Sequence, residues 1–600
     1  MIRHGHGGNG GHAGHAGQAG QAGQAWMRGV SAVVLAALIL ATLPAGAADA
    51  AARRSAAKVD PALLAEAKAA PTALFRVIAR GTPPRGGSLE PLPVSLAHDD
   101  SADEAERALR SAGGELHQAL RIVGAAAGSV TGAQVLRLAN DGTIDRIVRD
   151  DVVVALDEQD GDRAHPAAPA AAVREVNAPA AWKAGLTGTG VGVAVLDSGV
   201  AAHPDLAGRV IASVDLTGSD WRVSLTPLGD PGGHGTHVAG LIAGSGVRSE
   251  GAYTGVAPGA DIISVRVIDA NGSARLSTVL HGMQWILANR STYHIRIANM
   301  SFGARARSSY QADLLASAAE MLAFAGIVPV VAAGNRGGDS STITTPGTDP
   351  FVLTVGAVDD RGTVTIRDDR IATWSSRGPT AFDAIAKPDV VAPGRRIVSL
   401  RAAGSTLDRL YPDRRVVAAD ADRPEYFLLS GTSMAAAMVS GAVALLLERH
   451  PGISVRQVKA QLRATARPID DASRFDQGAG LIDARAAIRS RLVDAPLSTY
   501  RVSDVFATDL GRLLYGQPIV WRDLRFNGGT DSRGLRWTDI SWENITWNDI
   551  SWENISWESF TWADISWESI SWESISWEGI SWELIVPTVG TGAGGWVPVD

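Results

Sequence analysis

The chain of 600 residues contains no cysteine. Disulfide scaffolds, thiolate metal sites and cysteine nucleophiles are therefore excluded. A basic patch is also lacking, which argues against nucleic acid as a partner. The formal net charge of −8 is concentrated in residues 537–583, where ten acidic residues stand without any Lys or Arg, so the rest of the chain is nearly neutral.

Long apolar runs are confined to the N-terminus. Residues 1–25 are a low-complexity stretch of Gly, Ala, His and Gln, and Met27-Arg28 then lead into an apolar run at 30–43 and the small residues Ala45-Gly46-Ala47. This pattern predicts a secretory signal peptide, so we assign 1–48 to leader and signal, with Met27 a candidate for the true start. No later run reaches the about 18–20 residues of a membrane span, so none is expected in the mature form. A metal site built from the early histidines is a less favoured alternative; these are His4, His6, His12 and His15.

Residues 173–490 alternate short apolar runs with helical patterns. The runs at 192–196, 262–268, 295–300, 328–333 and 351–358 are typical of strands buried on both faces of a sheet, and 276–289 and 309–324 are typical of crossover helices. This alternation predicts an α/β, doubly wound, mainly parallel sheet with helices on both faces. Ligands bind such sheets at the carboxyl ends of the strands, and Asp197, Ser301 and Asn335 each follow a predicted strand.

Residues 73–157 have the pattern of a small α+β unit. Strands are predicted at 73–79, at 116–123 and within 144–156, and helices at 103–112 and 132–139. The Ala-rich stretch 49–72 before it is interpreted as a linker. With 600 residues, the chain is expected to form several domains.

Three glycine-bearing motifs carry an acid, a base and a nucleophile. Asp197 stands in V-A-V-L-D-S-G, His234 in G-G-H-G-T-H-V-A-G and Ser433 in S-G-T-S-M-A-A-A. These residue types are the ones that nucleophilic acyl transfer needs. Structural alternatives are a turn at Asp197 and a helix N-cap at Ser433, before a helix predicted over 434–448. A metal site at His234 and His237 would lack a nearby third ligand.

In motif, order and spacing, the chain resembles the subtilisin-like serine peptidases (subtilases) over about residues 173–487; Asp, His and Ser follow one another in the order known for subtilisin. The resemblance implies a subtilisin-like fold and a secreted serine endopeptidase that works through an acyl-enzyme and is made as a prepro-enzyme. It makes Ser433 the nucleophile, His234 the general base, and Asp197 the residue that orients His234. Asn335, in V-A-A-G-N, becomes the side-chain donor to the oxyanion, with a plain turn residue as the alternative.

The resemblance also implies how a protein or peptide substrate binds. Ser301, Phe302 and Gly303 form the segment that pairs with substrate as an added strand, and Gly303 and Gly334 leave room at the specificity pocket. Residues 49–165 become a propeptide that inhibits its own peptidase, residues 166–490, and 157–171 its cleavage segment. An unrelated N-terminal domain is the alternative.

Two departures from the family pattern and one open question remain. Residues 404–426 extend a segment at the rim of the cleft, and Ala437 stands where the family usually has proline. No cofactor is expected for catalysis. Structural calcium is common in the family, and Asp205 and Asp215 are candidate ligands, but we assign no metal site.

The C-terminal region is a repeat. Tryptophan recurs every five residues from Trp537 to Trp582 in S-W-E-x-I units, within 536–585, between a linker at 491–535 and a Gly-rich terminus at 586–600. A stacked solenoid is one interpretation. Exposed Trp would favour cell-wall glycan or self-association. The alternative function is therefore a surface-associated structural or adhesive protein, in which the tail acts and the peptidase domain mainly performs maturation; either way the protein is expected to be extracellular or at the cell surface.

Overall fold

The structure is a computed structural model. It describes residues 58–82, 100–156, 171–419, 422–495, 500, 502–503, 526–527 and 530–531. The predictions for the signal segment 1–48, the Trp repeats 536–585 and the terminus 586–600 lie outside these residues, as does nearly all of the predicted cleavage segment 157–171.

The N-terminal unit is a five-stranded sheet with helices on one face. Its order is β1-β5-β2-β4-β3, and β1 and β5 are its parallel pair. Val77 and Ala79 of β2 face the unit's own core, whereas Ile78 between them joins the core of the following domain. The elements are β1 Lys58–Val59, α1 Pro61–Ala69, β2 Leu74–Gly81, α2 Asp100–Ser111, β3 Glu115–Leu120, β4 Ala125–Thr131, α3 Gly132–Ala139 and β5 Ile144–Arg149.

The sequence pattern predicts the α+β character of this unit but misses three of its elements, β1, α1 and β4. Strand β4 is rich in small residues and carries little strand signal. Helix α1 lies inside the stretch interpreted as a linker. Its start is nevertheless encoded, because Asp60 accepts a hydrogen bond from the Leu63 N–H at 2.9 Å and Pro61 occupies the first turn.

The following domain is built on a nine-stranded, mainly parallel sheet. The order is β16-β15-β14-β12-β7-β10-β8-β9, and β17 also pairs with β15; β9 and β16 are antiparallel to their neighbours. The strands of this sheet are β7 Gly192–Asp197, β8 Val210–Asp215, β9 Arg222–Ser224, β10 Asp261–Arg266, β12 Ile295–Met300, β14 Val328–Ala332, β15 Leu353–Asp359, β16 Arg370–Ile371 and β17 Val390–Pro393. The predicted doubly wound α/β architecture is confirmed.

The described residues also form three smaller sheets. Strands β11, β6 and β13 form one three-stranded sheet, β18, β20 and β19 another, and β21 pairs with β22. Their bounds are β6 Val152–Ala155, β11 Ser273–Arg275, β13 Phe302–Gly303, β18 Ile397–Leu400, β19 Arg415–Val416, β20 Tyr426–Leu429, β21 Phe526–Asn527 and β22 Thr530–Asp531.

Helices cover both faces of the large sheet. Val193 and Val195 of β7 pack into one core with α6 and α10, and Ala194 and Leu196 pack into the opposite core with α7 and α8. The helices are α4 Ala171–Glu175, α5 Ala178–Trp182, α6 His234–Ala243, α7 Leu276–Asn289, α8 Leu314–Phe324, α9 Thr406–Leu410, α10 Thr432–Arg449, α11 Val455–Thr465, α12 Arg474–Gln477 and α13 Ala484–Arg489. Helix α8 begins later than predicted because Asp313 caps it.

Helix α10 is the central helix of this domain. Among the described residues it is the one helix with the length and apolarity of a membrane span, and 89% of its apolar window is buried inside the fold. It packs against β12, β14 and β15. Its apolar character is therefore explained by the protein core.

The chain stays in contact with this domain beyond residue 490. Val502 is buried in the core beside α7 and α8. The Ser503 N–H donates to both carboxylate oxygens of Glu320 in α8, at 3.1 and 3.0 Å. Part of the segment interpreted as a linker, 491–535, is thus packed.

Candidate active site

The predicted site residues meet at one edge of the large sheet. Strands β7, β12 and β14 are parallel neighbours, so their carboxyl ends lie side by side. Asp197 ends β7, Ser301 follows β12, and Asn335 lies three residues after β14. Helices α6 and α10, which carry His234 and Ser433 in their first turns, pack against each other on one face of this sheet.

Asp197 and His234 form a buried pair. Nδ1 of His234 lies 2.8 Å from Oδ1 and 2.9 Å from Oδ2 of Asp197. Because an ionised carboxylate only accepts hydrogen bonds, Nδ1 carries the proton. Asp197 therefore fixes both the tautomer and the orientation of the ring, and Nε2 is the nitrogen with basic character.

Asp230 and Ser198 hold this pair in place, and the motif analysis did not single them out. The buried carboxylate of Asp230 accepts hydrogen bonds from the Ser198 hydroxyl and the Gly233 N–H, both at 2.7 Å, and from the N–H and hydroxyl of Thr236, at 2.8 and 2.7 Å. The Ser198 hydroxyl in turn accepts from the Gly235 N–H at 3.1 Å. Asp230 thus joins the residue after Asp197 to the turn before His234.

Ser433 lies within the first turn of α10. The helix begins at Thr432, two residues earlier than predicted, and its N-cap is Gly431, so the interpretation of Ser433 as an N-cap is wrong. Its hydroxyl is within hydrogen-bond distance of two carbonyl oxygens, that of Leu156 at 2.7 Å and that of Ser301 at 3.0 Å. Ser433 is fully buried, and its contact with Leu156 places it beneath the end of β6.

The Asn335 amide faces the same Leu156 carbonyl. Its Oδ1 accepts hydrogen bonds from the N–H and the hydroxyl of Thr432, at 3.0 and 2.8 Å. The opposite end, Nδ2, donates to the Leu156 oxygen at 2.9 Å. Two donors on Oδ1 therefore fix which way the amide points.

Strand β6 occupies the cleft as an added strand. It pairs antiparallel with β13 on one side, Phe302 opposite Ala155, and with β11 on the other, Ala274 opposite Val153. The Leu156 N–H also donates to the Ser301 oxygen at 3.1 Å. Segment 301–303 thus pairs with β6 of the same chain, and β11 is a second wall that the sequence analysis missed.

Side chains along β6 alternate between the domain and the solvent as far as Val154, and Leu156, just after the strand, is buried. Val153 is 1% exposed and Leu156 6%, whereas Val152 and Val154 are 49% and 43% exposed. Phe302 is fully buried in the same apolar cluster as Val153. The cleft therefore holds two apolar side chains, those of Val153 and Leu156.

Positions 303 and 334 require glycine because their backbones pack closely against Thr344. A Cβ added to Gly303 would approach the Thr344 side chain within 2.9 Å, and one added to Gly334 would lie 2.7 Å from the Thr344 methyl. Gly334 also has φ 112°, in the left-handed region. Thr344 therefore packs directly against the backbone of both glycines.

His237 and the two candidate calcium ligands already have protein partners. Burial lowers the pKa of His237 to about 3, and its Nε2–H lies 3.1 Å from the carbonyls of Ile397 and Phe427. Asp205 accepts from the Arg248 N–H and the Tyr426 hydroxyl. Asp215 accepts from Thr217, Arg222 and Arg266. In the part of the chain that the structure describes, no group of three His, Asp or Glu side chains is arranged to hold a metal ion.

Comparison with known proteins agrees with this geometry. The family model described as Subtilase family matches residues 188–480. The chain is similar to serine protease AprX of Bacillus subtilis (strain 168), 41% identical over 308 residues that cover 50% of this chain and 67% of the relative. It is also similar to subtilisin E of the same organism, 31% identical over 380 residues that cover 62% of this chain and 83% of the relative.

The fold agrees with a solved structure, that of fervidolysin from Fervidobacterium pennivorans. The match has a TM-score of 0.52 at 24% identity and covers 70% of this chain and 62% of the fervidolysin chain. At that identity the likeness concerns the fold. With three motifs, the sheet edge and the relatives in agreement, the chain belongs to the subtilase family and is a subtilisin-like serine protease.

Proposed function

We propose that the protein is a secreted serine endopeptidase, made as a precursor, that first cleaves its own chain between Leu156 and Asp157. One observation carries this proposal. The Leu156 carbonyl oxygen accepts hydrogen bonds from the Ser433 hydroxyl and from Asn335 Nδ2, at 2.7 and 2.9 Å. A carbonyl held between a nucleophile and an oxyanion donor is in the position of a scissile bond.

The proposed reaction assigns one step to each of these groups. Oγ of Ser433 attacks the Leu156 carbonyl carbon while Nε2 of His234 takes the hydroxyl proton, and Asp197 stabilises the imidazolium. The oxyanion is held by Asn335 Nδ2. The bond to the Asp157 nitrogen then breaks, and His234 gives that amine its proton. Water, activated by His234, hydrolyses the Leu156 acyl-enzyme and restores Ser433.

Contacts outside the cleft support a role for the N-terminal unit as an inhibitor. The buried Asp150 carboxylate accepts from the N–H and the hydroxyl of Ser277 at the start of α7, both at 2.9 Å. Gln118 donates to the Ser277 carbonyl at 2.7 Å. A unit held by β6 and by these polar contacts would block the cleft after cleavage, until it is degraded or released.

The remaining assignments belong to the same proposal. The predicted signal segment 1–48 supports secretion. No cofactor is expected for catalysis by the groups proposed here, and calcium stays unassigned. The ten Trp residues of 536–585 support a second role, in which the tail attaches the enzyme to wall glycan or to other copies.

Mass spectrometry of the secreted full-length protein tests the proposal. The wild type should yield a fragment ending at Leu156, and Ser433→Ala should remain uncleaved there and inactive on casein. Ser317→Ala, a buried serine in α8 whose hydroxyl bonds the Asp313 carbonyl, is the control and should mature normally. Self-cleavage or casein hydrolysis by purified Ser433→Ala would refute the assignment.

A further inference from the structure

The extended segment after residue 404 forms a small substructure beside the catalytic histidine. Helix α9 follows Ser405, whose hydroxyl accepts from the Asp408 N–H at 3.3 Å. Strand β19 then pairs antiparallel with β20, Arg415 opposite Phe427. The motif analysis noted the extra length and left its role open.

The first two N–H groups of α9 hold the turn that precedes His234. The Thr406 N–H donates to the Pro231 carbonyl at 2.8 Å, and the Leu407 N–H donates to the Gly232 carbonyl at 3.1 Å. These N–H groups have no partner within a helix, so they are available to an outside acceptor. A Cβ added to Gly233, which has φ 100°, would collide with Oγ of Ser405. Helix α9 is thus packed directly on residues 231–233.

This turn is held from both sides. Asp230 accepts a hydrogen bond from the Gly233 N–H on one side. On the other side, α9 donates to the carbonyls of Pro231 and Gly232. The next residue is His234, whose ring must reach both Asp197 and Ser433. A shift of the turn would therefore move the general base.

Asp408 fixes α9 itself. Its carboxylate, 3% exposed, accepts from Nε and Nη2 of Arg401 at 2.5 and 2.8 Å, from Nε of Arg415 at 2.7 Å and from the Gly404 N–H at 2.8 Å. Such paired, charge-assisted bonds are directional, so they set the place of the helix as well as its stability. A neutral amide at this position could not pair with both arginines.

We propose that helix α9 is a positioning element for His234, in which Asp408 anchors the helix and the Thr406 N–H holds the turn before the catalytic base. The proposal rests on the proposed role of His234. It predicts a defect in proton transfer, because α9 acts on the general base. Substrate binding should change little, because the cleft strands β11 and β13 belong to other parts of the chain. Thr406 and Asp408 are positioning residues.

Thr406→Pro tests the proposal at one atom. Proline at the first helical position is tolerated, and Ser405 already has the φ −66° and ψ 170° that a residue before proline prefers, so the change removes mainly the N–H. We expect kcat on a short peptide to fall about tenfold relative to Thr406→Ala, which keeps the N–H, since a displacement of about 1 Å can cost up to about 10²-fold. KM should stay within about twofold, and the acid limb of the pH profile of kcat/KM should shift as His234 loosens from Asp197. Val455→Pro makes the same change at the first residue of the remote helix α11. It should leave kcat, KM and the acid limb of the pH profile unchanged.

Asp408→Asn is the second variant, with Asp422→Asn, an exposed carboxylate of the same segment, as its control. It should lower kcat with the same pH shift, and Asp408→Glu should restore part of the rate. Equal kcat in Thr406→Pro and Thr406→Ala, or a loss confined to KM, would overturn the proposal. That result is distinguishable from failure of the proposed function, which would show as activity in Ser433→Ala.

Discussion

Thr432 directs both its N–H and its hydroxyl to one atom, Oδ1 of Asn335, at 3.0 and 2.8 Å. The residue beside the nucleophile thereby orients the amide, because both donors must face the oxygen end. Nδ2 is left pointing at the Leu156 carbonyl. Thr432 thus holds the proposed oxyanion donor in one orientation.

Asn335→Ala should lower kcat with little change in KM, since the amide bonds the developing oxyanion more strongly than the ground-state carbonyl. The expected loss is about 10²- to 10³-fold, the range established for removal of such a donor from subtilisin itself. Steady-state kinetics on a chromogenic peptide measures it. Asn335→Asp, which keeps the acceptor toward Thr432 but has no donor, should be no better than Asn335→Ala. A change confined to KM would contradict the role.

Leu156→Asp should slow the first self-cleavage by about 10- to 100-fold. The side chain is 6% exposed, and burial of a leucine is worth about 1.5–3 kcal/mol, which an aspartate would forfeit. Val154→Asp, two residues earlier and 43% exposed, is the matched control and should mature at the wild-type rate. The rate is read from the appearance of the cleaved fragment with time. Equal slowing in both variants would mean that burial of the Leu156 side chain is not what holds this segment in place for cleavage.

Glu175→Gln should stabilise the domain at alkaline pH. Burial raises the pKa of Glu175 well above its usual range, and the nearby carboxylates of Asp369 and Asp360 raise it further. The group therefore stays protonated in the folded state where it would ionise in the unfolded chain. The free energy of unfolding then falls as the pH rises from the unfolded pKa of about 4.3 through the raised folded pKa.

Thermal unfolding in the Ser433→Ala background, which prevents self-digestion, measures this effect. The glutamine variant should gain about 2–8 °C in Tm at pH 8, with a smaller difference at pH 5. Asp339→Asn, an exposed carboxylate in the same domain, should show no such trend. A difference in Tm that is the same at both pH values would argue against the raised pKa.

Deletion of residues 536–600 should leave hydrolysis of a short peptide within about twofold of the full chain, since the segment supplies no residue of the proposed site. All residues of the proposed site lie between Leu156 and Ser433. The shortened enzyme should instead lose binding to insoluble wall glycan or tendency to self-associate, measured by co-sedimentation. Loss of peptide hydrolysis in a well-folded truncated enzyme would place the tail within the catalytic fold.

The motifs around Asp197, His234 and Ser433 could be recognised in the sequence because their chemistry is carried by side chains in short contexts. The sheet could be recognised as well. Strands such as β7 and β12, buried on both faces, leave continuous apolar runs, and the boundaries of β12 and α7 agree with their predicted ranges to the residue. These are local properties, and a sequence displays local properties directly.

Other features became visible only in three dimensions. Ser433 bonds a carbonyl 277 positions away in the chain, and α9 bonds the turn at Pro231 through backbone atoms. Backbone N–H and carbonyl groups are the same in nearly every residue, so which of them meet is not written in side-chain identity. The proposed cleavage point at Leu156, the second wall β11 and the contact of α9 with the turn before His234 were therefore decided by tertiary packing, which brings distant backbone segments into register.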